Sequence, residues 1–138
     1  MIRLRPATRA DALPILEWQR HPDSRRYARN PAIPSEAEHL EWFARKLASP
    51  DCELLIGEEE GERVGFVRMD RRGDEWEVSI LVAPAFRSKG FGKAMLSAAA
   101  GGDRHLVAEV LPGNERSHEL FRSCGWRLSE DGLYRPSR

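Results

Sequence analysis

The sequence predicts a single α+β domain, on three observations. A chain of 138 residues is the size of one domain with one core. Hydrophobic residues at 41% and charged residues at 32% give an ordinary globular balance and exclude wholesale disorder. The periodic segments read β-α-α-β-β-β-α-β-α-β-β, with runs of strands and runs of helices rather than strict alternation.

Ile2-Arg3-Leu4-Arg5 alternates apolar and polar residues, as a short strand does. A helix follows from about Asp11 to Arg20, with Asp11 as N-cap, Pro14 in the tolerant first turn, and Leu13 and Leu16 on one face. Pro22, Pro31 and Pro34 punctuate a stretch that holds a short helix near Ser24–Ala28. Ser35-Glu36-Ala37-Glu38 has the capping-box form, and Leu40, Phe43 and Leu47 recur at helical spacing until Ser49-Pro50. Glu53–Glu58 and Arg63–Asp70 form a hairpin around Glu59-Glu60-Gly61-Glu62, and Glu75–Val82 is the third strand of the meander. Phe91, Ala94, Met95, Ala98 and Ala99 then mark an amphipathic helix over Gly90–Ala100, stopped by Gly101-Gly102. His105–Leu111 is a strand. Asn114–Cys124 is a helix with Asn114 as N-cap and Gly125 as its C′ residue. Trp126–Leu128 and Leu133–Arg135 pair as a last hairpin around Asp131-Gly132.

Lys plus Arg total 22 and Asp plus Glu total 22, so the chain lacks the basic surplus of a general nucleic-acid binder. Two cysteines, Cys52 and Cys124, make no disulfide framework, and no CxxC or Cys/His cluster points to a metal. Both are expected to be reduced and semi-buried. The first residues lack the apolar run of a signal peptide, and no apolar stretch is long enough to span a bilayer. The expectation is a cytoplasmic protein, monomer or homodimer, without nucleic-acid or membrane partners.

The most informative segment is Val82-Ala83-Pro84-Ala85-Phe86-Arg87-Ser88-Lys89-Gly90-Phe91-Gly92, between a strand and a helix. Gly90 and Gly92 let backbone approach a ligand with no Cβ between. N–H groups from Ser88 to Lys93, the helix dipole and the Arg87 and Lys89 charges together suit an anion such as a pyrophosphate. Walker A and the dinucleotide GxGxxG are both absent. Taken alone, this segment is equally an ordinary glycine-containing turn.

Its surroundings resemble the GNAT superfamily of acyl-CoA-dependent N-acyltransferases. Val82-x-Pro84 and Arg87-x-x-Gly90-x-Gly92 match that family's V-x-P-x-x-[RQ]-x-x-G-x-[GA]. Glu109-Val110, Asn114, Leu120-Phe121 and Gly125-Trp126 follow in the order of its second block, and the element order fits nearly the whole chain. The resemblance implies an α/β/α sandwich around a mixed sheet, with acetyl-CoA as co-substrate in a gap between two splayed parallel strands, here Glu75–Val82 and His105–Leu111. It implies that backbone of Leu81 and Val82 pairs with the pantetheine arm. Residues Arg87, Ser88, Lys89, Gly90, Phe91 and Gly92 would hold the pyrophosphate, and Asn114 would contact the cofactor near its thioester end.

The implied reaction is direct attack of a primary amine on the thioester carbonyl, after an ammonium of pKa about 10.4 loses a proton. Glu109 is the first candidate base, since it lies five residues before Asn114, as in the branch that acetylates protein N-termini. Glu77 is the second and Glu75 the third. Each is equally readable as a charged residue on a solvated strand face. Many relatives place a tyrosine seven residues after the asparagine as the acid; here Phe121 stands there and carries no proton. Ser117 lies one turn earlier, His118 reads as exposed, and Tyr134 of the last hairpin is a further candidate. A thiolate of pKa about 8.5 leaves without a dedicated acid at some cost in rate.

For the acceptor, Trp18-Gln19-Arg20-His21-Pro22-Asp23-Ser24-Arg25 and Glu38-His39-Leu40-Glu41-Trp42-Phe43 look like segments of a GNAT branch that acetylates nucleotide-linked amino-sugars. In that reading Trp18 and Trp42 stack on a sugar or base, and Arg25 or Arg26 pairs with a phosphate. The plainer alternative packs Trp18, Trp42 and Phe43 in the core, with His21 and His39 as surface or capping residues. An amino-sugar acetyltransferase, a protein N-terminal acetyltransferase and a non-catalytic acyl-CoA-binding module are the three functions carried forward.

Overall fold

Five strands make one sheet in the order β1 (Arg3–Pro6), β2 (Cys52–Glu59), β3 (Glu62–Arg72), β4 (Glu75–Val82), β5 (Leu106–Val107). They come from a computed structural model that describes residues 2–25 and 32–137. The first four are antiparallel neighbours, and β4 and β5 run parallel. Helices α1 (Ala12–Arg20), α2 (Pro22–Arg25) and α3 (Glu36–Ala48) precede the meander, and α4 (Phe91–Ala99) and α5 (Glu115–Ser123) follow it. A hairpin of β6 (Trp126–Leu128) and β7 (Tyr134–Pro136) ends the chain. Residues 26–28 of the expected short helix, and the side chain of Arg25, lie outside the described residues.

The period-two alternation of the strands sorts the core into two layers. Phe66, Leu54 and Ile56 project to one face and pack against Ile15 of α1 and Phe43 of α3. Val67, Met69 and Val78 project to the other and meet Met95 and Leu96 of α4, Phe121 of α5, and Trp126 and Tyr134 of the hairpin. Each such side chain, fully buried, stabilises the fold by roughly 1.5–3 kcal/mol. Helices thus cover both faces of a mixed sheet, the expected α/β/α sandwich.

Close approach across the second face needs glycine. A Cβ on Gly65 would stand 2.4 Å from Met95 Cε and 2.7 Å from the Leu81 carbonyl oxygen, and one on Gly57 would stand 2.5 Å from Met95 Sδ. Met95 is fully buried above this bare patch. The β2–β3 turn works differently: Glu60 and Gly61 have φ of 52° and 82°, the two positive values a type I′ hairpin requires.

The capping box at α3 is formed as expected: Ser35 Oγ accepts from the Glu38 N–H, and Glu38 Oε1 accepts from the Ser35 N–H, both at 3.1 Å. Several expectations are corrected. Asp11 stands at the N-cap position of α1 but makes no cap bond there. Its carboxylate turns back to the Thr8 N–H at 2.8 Å and takes Arg5 Nη2 at 2.8 Å and Arg63 Nε at 2.7 Å, fully buried. The buried face of α1 is Ala12, Ile15 and Leu16, while Leu13 is half exposed. On α3, Leu40 is exposed, and His39 is buried in its place rather than lying on the surface. The strand expected over His105–Leu111 pairs with β4 at two positions, Leu106 and Val107. Ala108 then exchanges two hydrogen bonds with Tyr134, at 3.0 and 2.8 Å, so the chain changes partners there.

Candidate active site

That change of partner creates the site. The parallel ladder runs Trp76↔Leu106 and Glu77↔Val107 and stops. Beyond it β4 continues as Val78–Val82, while the other chain leaves toward the hairpin as Glu109, Val110 and Leu111. All of these residues line a cleft of about 1140 Å³ between the two diverging segments. A strand edge without a protein partner presents backbone N–H and C=O groups that a ligand's amides can satisfy.

The cleft continues to the turn before α4. Arg87, Ser88, Gly90, Phe91, Gly92 and Lys93 line it. Ser88 has φ of 63° and Gly90 of 83°, so the loop is held in the left-handed region at two places. A Cβ on Gly90 would meet no atom of the protein within 4 Å. The first intrahelical bond runs from the Ala94 N–H to the Gly90 oxygen at 3.1 Å. The N–H groups of Phe91, Gly92 and Lys93 therefore lie ahead of it, at the positive end of the helix dipole. Gly92 has a packing reason as well: a Cβ there would lie 3.3 Å from Val82 Cγ2 and 3.7 Å from Leu120. Arg87 reaches across to α2, with Nη2 donating to Ser24 Oγ at 2.9 Å. Lys89 does not line the cleft; its ammonium lies 5.8 Å from the centre of the Phe86 ring.

The α5 side holds the candidates for proton transfer. Glu109 is exposed and lines the cleft. Asn114 caps α5, its Oδ1 accepting from the Ser117 N–H at 3.3 Å, and both residues line the cleft. Phe121 is buried at the cleft's base, stacked on Tyr134 at 5.6 Å and edge-on to Trp126 at 5.0 Å. Tyr134 is drawn away from the cleft: its hydroxyl shares a 2.7 Å hydrogen bond with Nδ1 of His118, which is half-buried rather than exposed. Glu75 is held by two hydrogen bonds from Arg135, at 2.8 and 3.0 Å, which keep its carboxyl below the usual range. Glu77 sits opposite Asp70 in the ladder and does not line the cleft.

The opposite wall comes from α1, α2, α3 and β3. Gln19, Ser24, His39, Trp42, Arg45, Phe66 and Arg68 line it. Trp42 both packs against the core and faces the cleft, while Trp18 packs against the core and does not line the cleft. His39 is 2% exposed, and its Nε2–H donates to the Ala12 carbonyl at 2.8 Å. Burial holds this imidazole below its usual pKa, opposed in part by the Ala12 carbonyl, so it is neutral at pH 7. Spacing of α3 placed Leu40 inward and missed His39; Lys93 was foreseen only as a backbone donor, and Arg68 was unforeseen. For Lys93 the signal was its place in the first turn of a helix that opens on a glycine loop. For Arg68 it was its two-residue offset from Phe66.

Comparisons with known proteins agree with this geometry. Residues 2–127 match the family model described as an acetyltransferase (GNAT) domain. No curated protein matches the chain. Among solved structures, spermidine N-acetyltransferase from Vibrio cholerae, in complex with CoA and spermine, is similar at 19% identity with a TM-score of 0.82, covering 93% of this chain and 82% of that one. Aminoglycoside acetyltransferase AAC(6')-Ib in complex with coenzyme A is similar at 19% identity and TM-score 0.79, over 97% and 91%. A domain from Methanocaldococcus jannaschii is similar at 21% identity and TM-score 0.81, over 97% and 95%. At these identities the likeness is one of fold.

Proposed function

The chain belongs to the GNAT family of acetyltransferases, enzymes that use acetyl-CoA as co-substrate, and on that premise we propose that it acetylates the primary amine of a small molecule, with amino-sugars as the acceptor class. The observation that carries the reading is the parting of β4 from β5 directly beside the glycine turn. One cleft thereby offers an unpartnered strand edge along Val78–Val82 and the N–H groups of α4. The open space at Gly90 is where a Cβ would intrude on a ligand. These features fit the co-substrate: Leu81 and Val82 offer backbone groups to its amide arm. Arg87, Ser88, Gly90, Phe91, Gly92 and Lys93 surround its diphosphate, with Lys89 adding charge at longer range. Asn114, whose Oδ1 is engaged in the cap, would offer its side-chain NH2 to the acyl end.

The bound co-substrate supplies an acyl thioester. In the transfer a C–N bond forms as the C–S bond breaks; the nitrogen sheds two protons, one as the ammonium becomes the attacking amine and one as the amide forms, the departing sulfur gains one and the other passes to solvent. Glu109, exposed at the cleft wall, takes the ammonium proton directly or through water. Ser117, one turn before Phe121, is the α5 hydroxyl that lines the cleft, and it hands on a proton only through water. Phe121 contributes packing and no proton. Trp42 and the neutral His39 form the acceptor wall, and Trp18 supports it from the core.

Two other readings keep a specific feature each. The Glu109–Asn114 spacing favours a protein N-terminus as acceptor, and Phe121 favours a non-catalytic binding module. Release of free thiol from acetyl-CoA, measured over a panel of amino-sugars, simple amines and short peptides with free N-termini, separates the three. The proposal expects amine-dependent release with small molecules. Release with peptides alone would select the second reading, and tight cofactor binding without release the third.

A further inference from the structure

Arg68 on β3 shares a face with Phe66, two residues earlier, and therefore points to the α3 side of the sheet, where it lines the acceptor half of the cleft. Its guanidinium is fixed on two sides. Nε donates to Asp70 Oδ2 at 2.6 Å, and the guanidinium carbon lies 5.5 Å from the centre of the Trp42 ring. Among the described residues, no side chain accepts from its Nη1 or Nη2. The side chain is one-third exposed.

Among the described residues that line this wall, Arg45 and Arg68 are the cations and Glu38 is the acid, which leaves one positive charge in excess. Asp70 is shared between Arg68 and Lys46, whose Nζ is 3.2 Å from Oδ1. Arg45 lines the same wall. Among the described residues, Glu38 is the acid on that wall, and its carboxylate accepts from the Ser35 N–H in the α3 capping box. Glu77, across from Asp70, stands off the cleft. A guanidinium whose inner nitrogen is anchored and whose outer pair faces a cleft is preorganised for two parallel bonds to a carboxylate or phosphate.

We infer that the acceptor amine carries a negatively charged oxygen group, a carboxylate or a phosphate ester, received by the two outer nitrogens of Arg68 above Trp42. This inference rests on the acetyltransferase reading and narrows its substrate. The wall repels a polycation and selects a zwitterionic or anionic amine.

The test compares kcat/KM for glucosamine, its 1- and 6-phosphates, glucosaminic acid and spermidine, in the wild type and in Arg68→Gln and Arg68→Lys. A pair of charge-assisted bonds should favour an anionic member over glucosamine by roughly 10- to 100-fold in the wild type. That ratio should fall toward unity in Arg68→Gln and not be restored by Arg68→Lys, which lacks the fork. Whether a phosphate or glucosaminic acid leads identifies the anion. Equal or better use of glucosamine or spermidine, or a preference that survives Arg68→Gln, would overturn the inference while leaving the acetyltransferase reading intact. Calorimetric titration of the same compounds into CoA-loaded protein reads the site without turnover. Arg68-dependent binding with no transfer to any amine would uphold the anion site and refute the transfer reading. Absence of Arg68-dependent binding would refute the anion site.

Discussion

Replacing Asp11 by Asn removes one charge from the best-connected buried group in the molecule. The carboxylate is fully buried and accepts from Arg5 at 2.8 and 2.9 Å, from Arg63 at 2.7 Å and from the Thr8 N–H at 2.8 Å. Breaking a buried ion pair by removing one partner costs about 3–5 kcal/mol, because the remaining charge is stranded. Here the stranding is partial. Arg5 keeps Glu58 Oε2 at 2.9 Å, and the Arg63 side chain is 37% exposed to water. We therefore expect a loss of about 2–4 kcal/mol, a sizeable part of the roughly 5–15 kcal/mol that stabilises a typical domain. The assay is urea unfolding of wild type and Asp11→Asn between pH 3 and pH 7. Burial alone pushes the Asp11 carboxyl up, but the bonds from Arg5, Arg63 and Thr8 outweigh it and hold the group well below the usual carboxylate range. A depressed folded-state pKa gives stability that is complete above the unfolded-state value, about 3.9, and drains away as pH falls below it. The difference between the two proteins should thus be constant from pH 7 to about pH 5 and shrink below about pH 4. A variant within about 0.5 kcal/mol of wild type at neutral pH, or a difference unchanged at pH 3, would refute the argument that this carboxylate ties β1, α1 and β3 together.

Gly65→Ala should lower stability by about 1–3 kcal/mol, since the new methyl meets Met95 and the Leu81 carbonyl, whereas Gly102→Ala, with open space around its Cβ, should be neutral or slightly stabilising by the same denaturation assay. Because Leu81 belongs to the cleft edge, Gly65→Ala should also weaken CoA binding in calorimetry; a variant of native stability and affinity would contradict the contact geometry. Glu109→Gln should reduce kcat by roughly 10²–10⁴-fold with CoA affinity nearly intact, and unchanged turnover across pH would remove it from the base role. Gly90→Val should abolish CoA binding, since its side chain projects into space free of protein atoms, and should also cost about 1–3 kcal/mol of stability, because a β-branched residue is strained at φ of 83°; normal affinity in a folded variant would place the diphosphate elsewhere.

The strands, the helices and the turn before α4 were readable from the chain because their signals are local. Alternation along Glu75–Val82, the Ser35–Glu38 box and the glycines at 90 and 92 each lie within a few residues, and steric and hydrogen-bonding rules act at that range. The Val82–Gly92 and Glu109–Trp126 motifs, taken together with the order of these elements, were enough to indicate the family. What tertiary structure alone decided are the partnerships between distant positions. Ala108 leaves β4 for Tyr134, which opens the cleft; Asp11 forgoes its cap for Arg5 and Arg63; His39 takes the inward place that spacing assigned to Leu40; and Arg68 is laid over Trp42 by Asp70. Each outcome is a competition among several adequate local choices, settled by burial and charge pairing that exist only after the sheet and helices have packed.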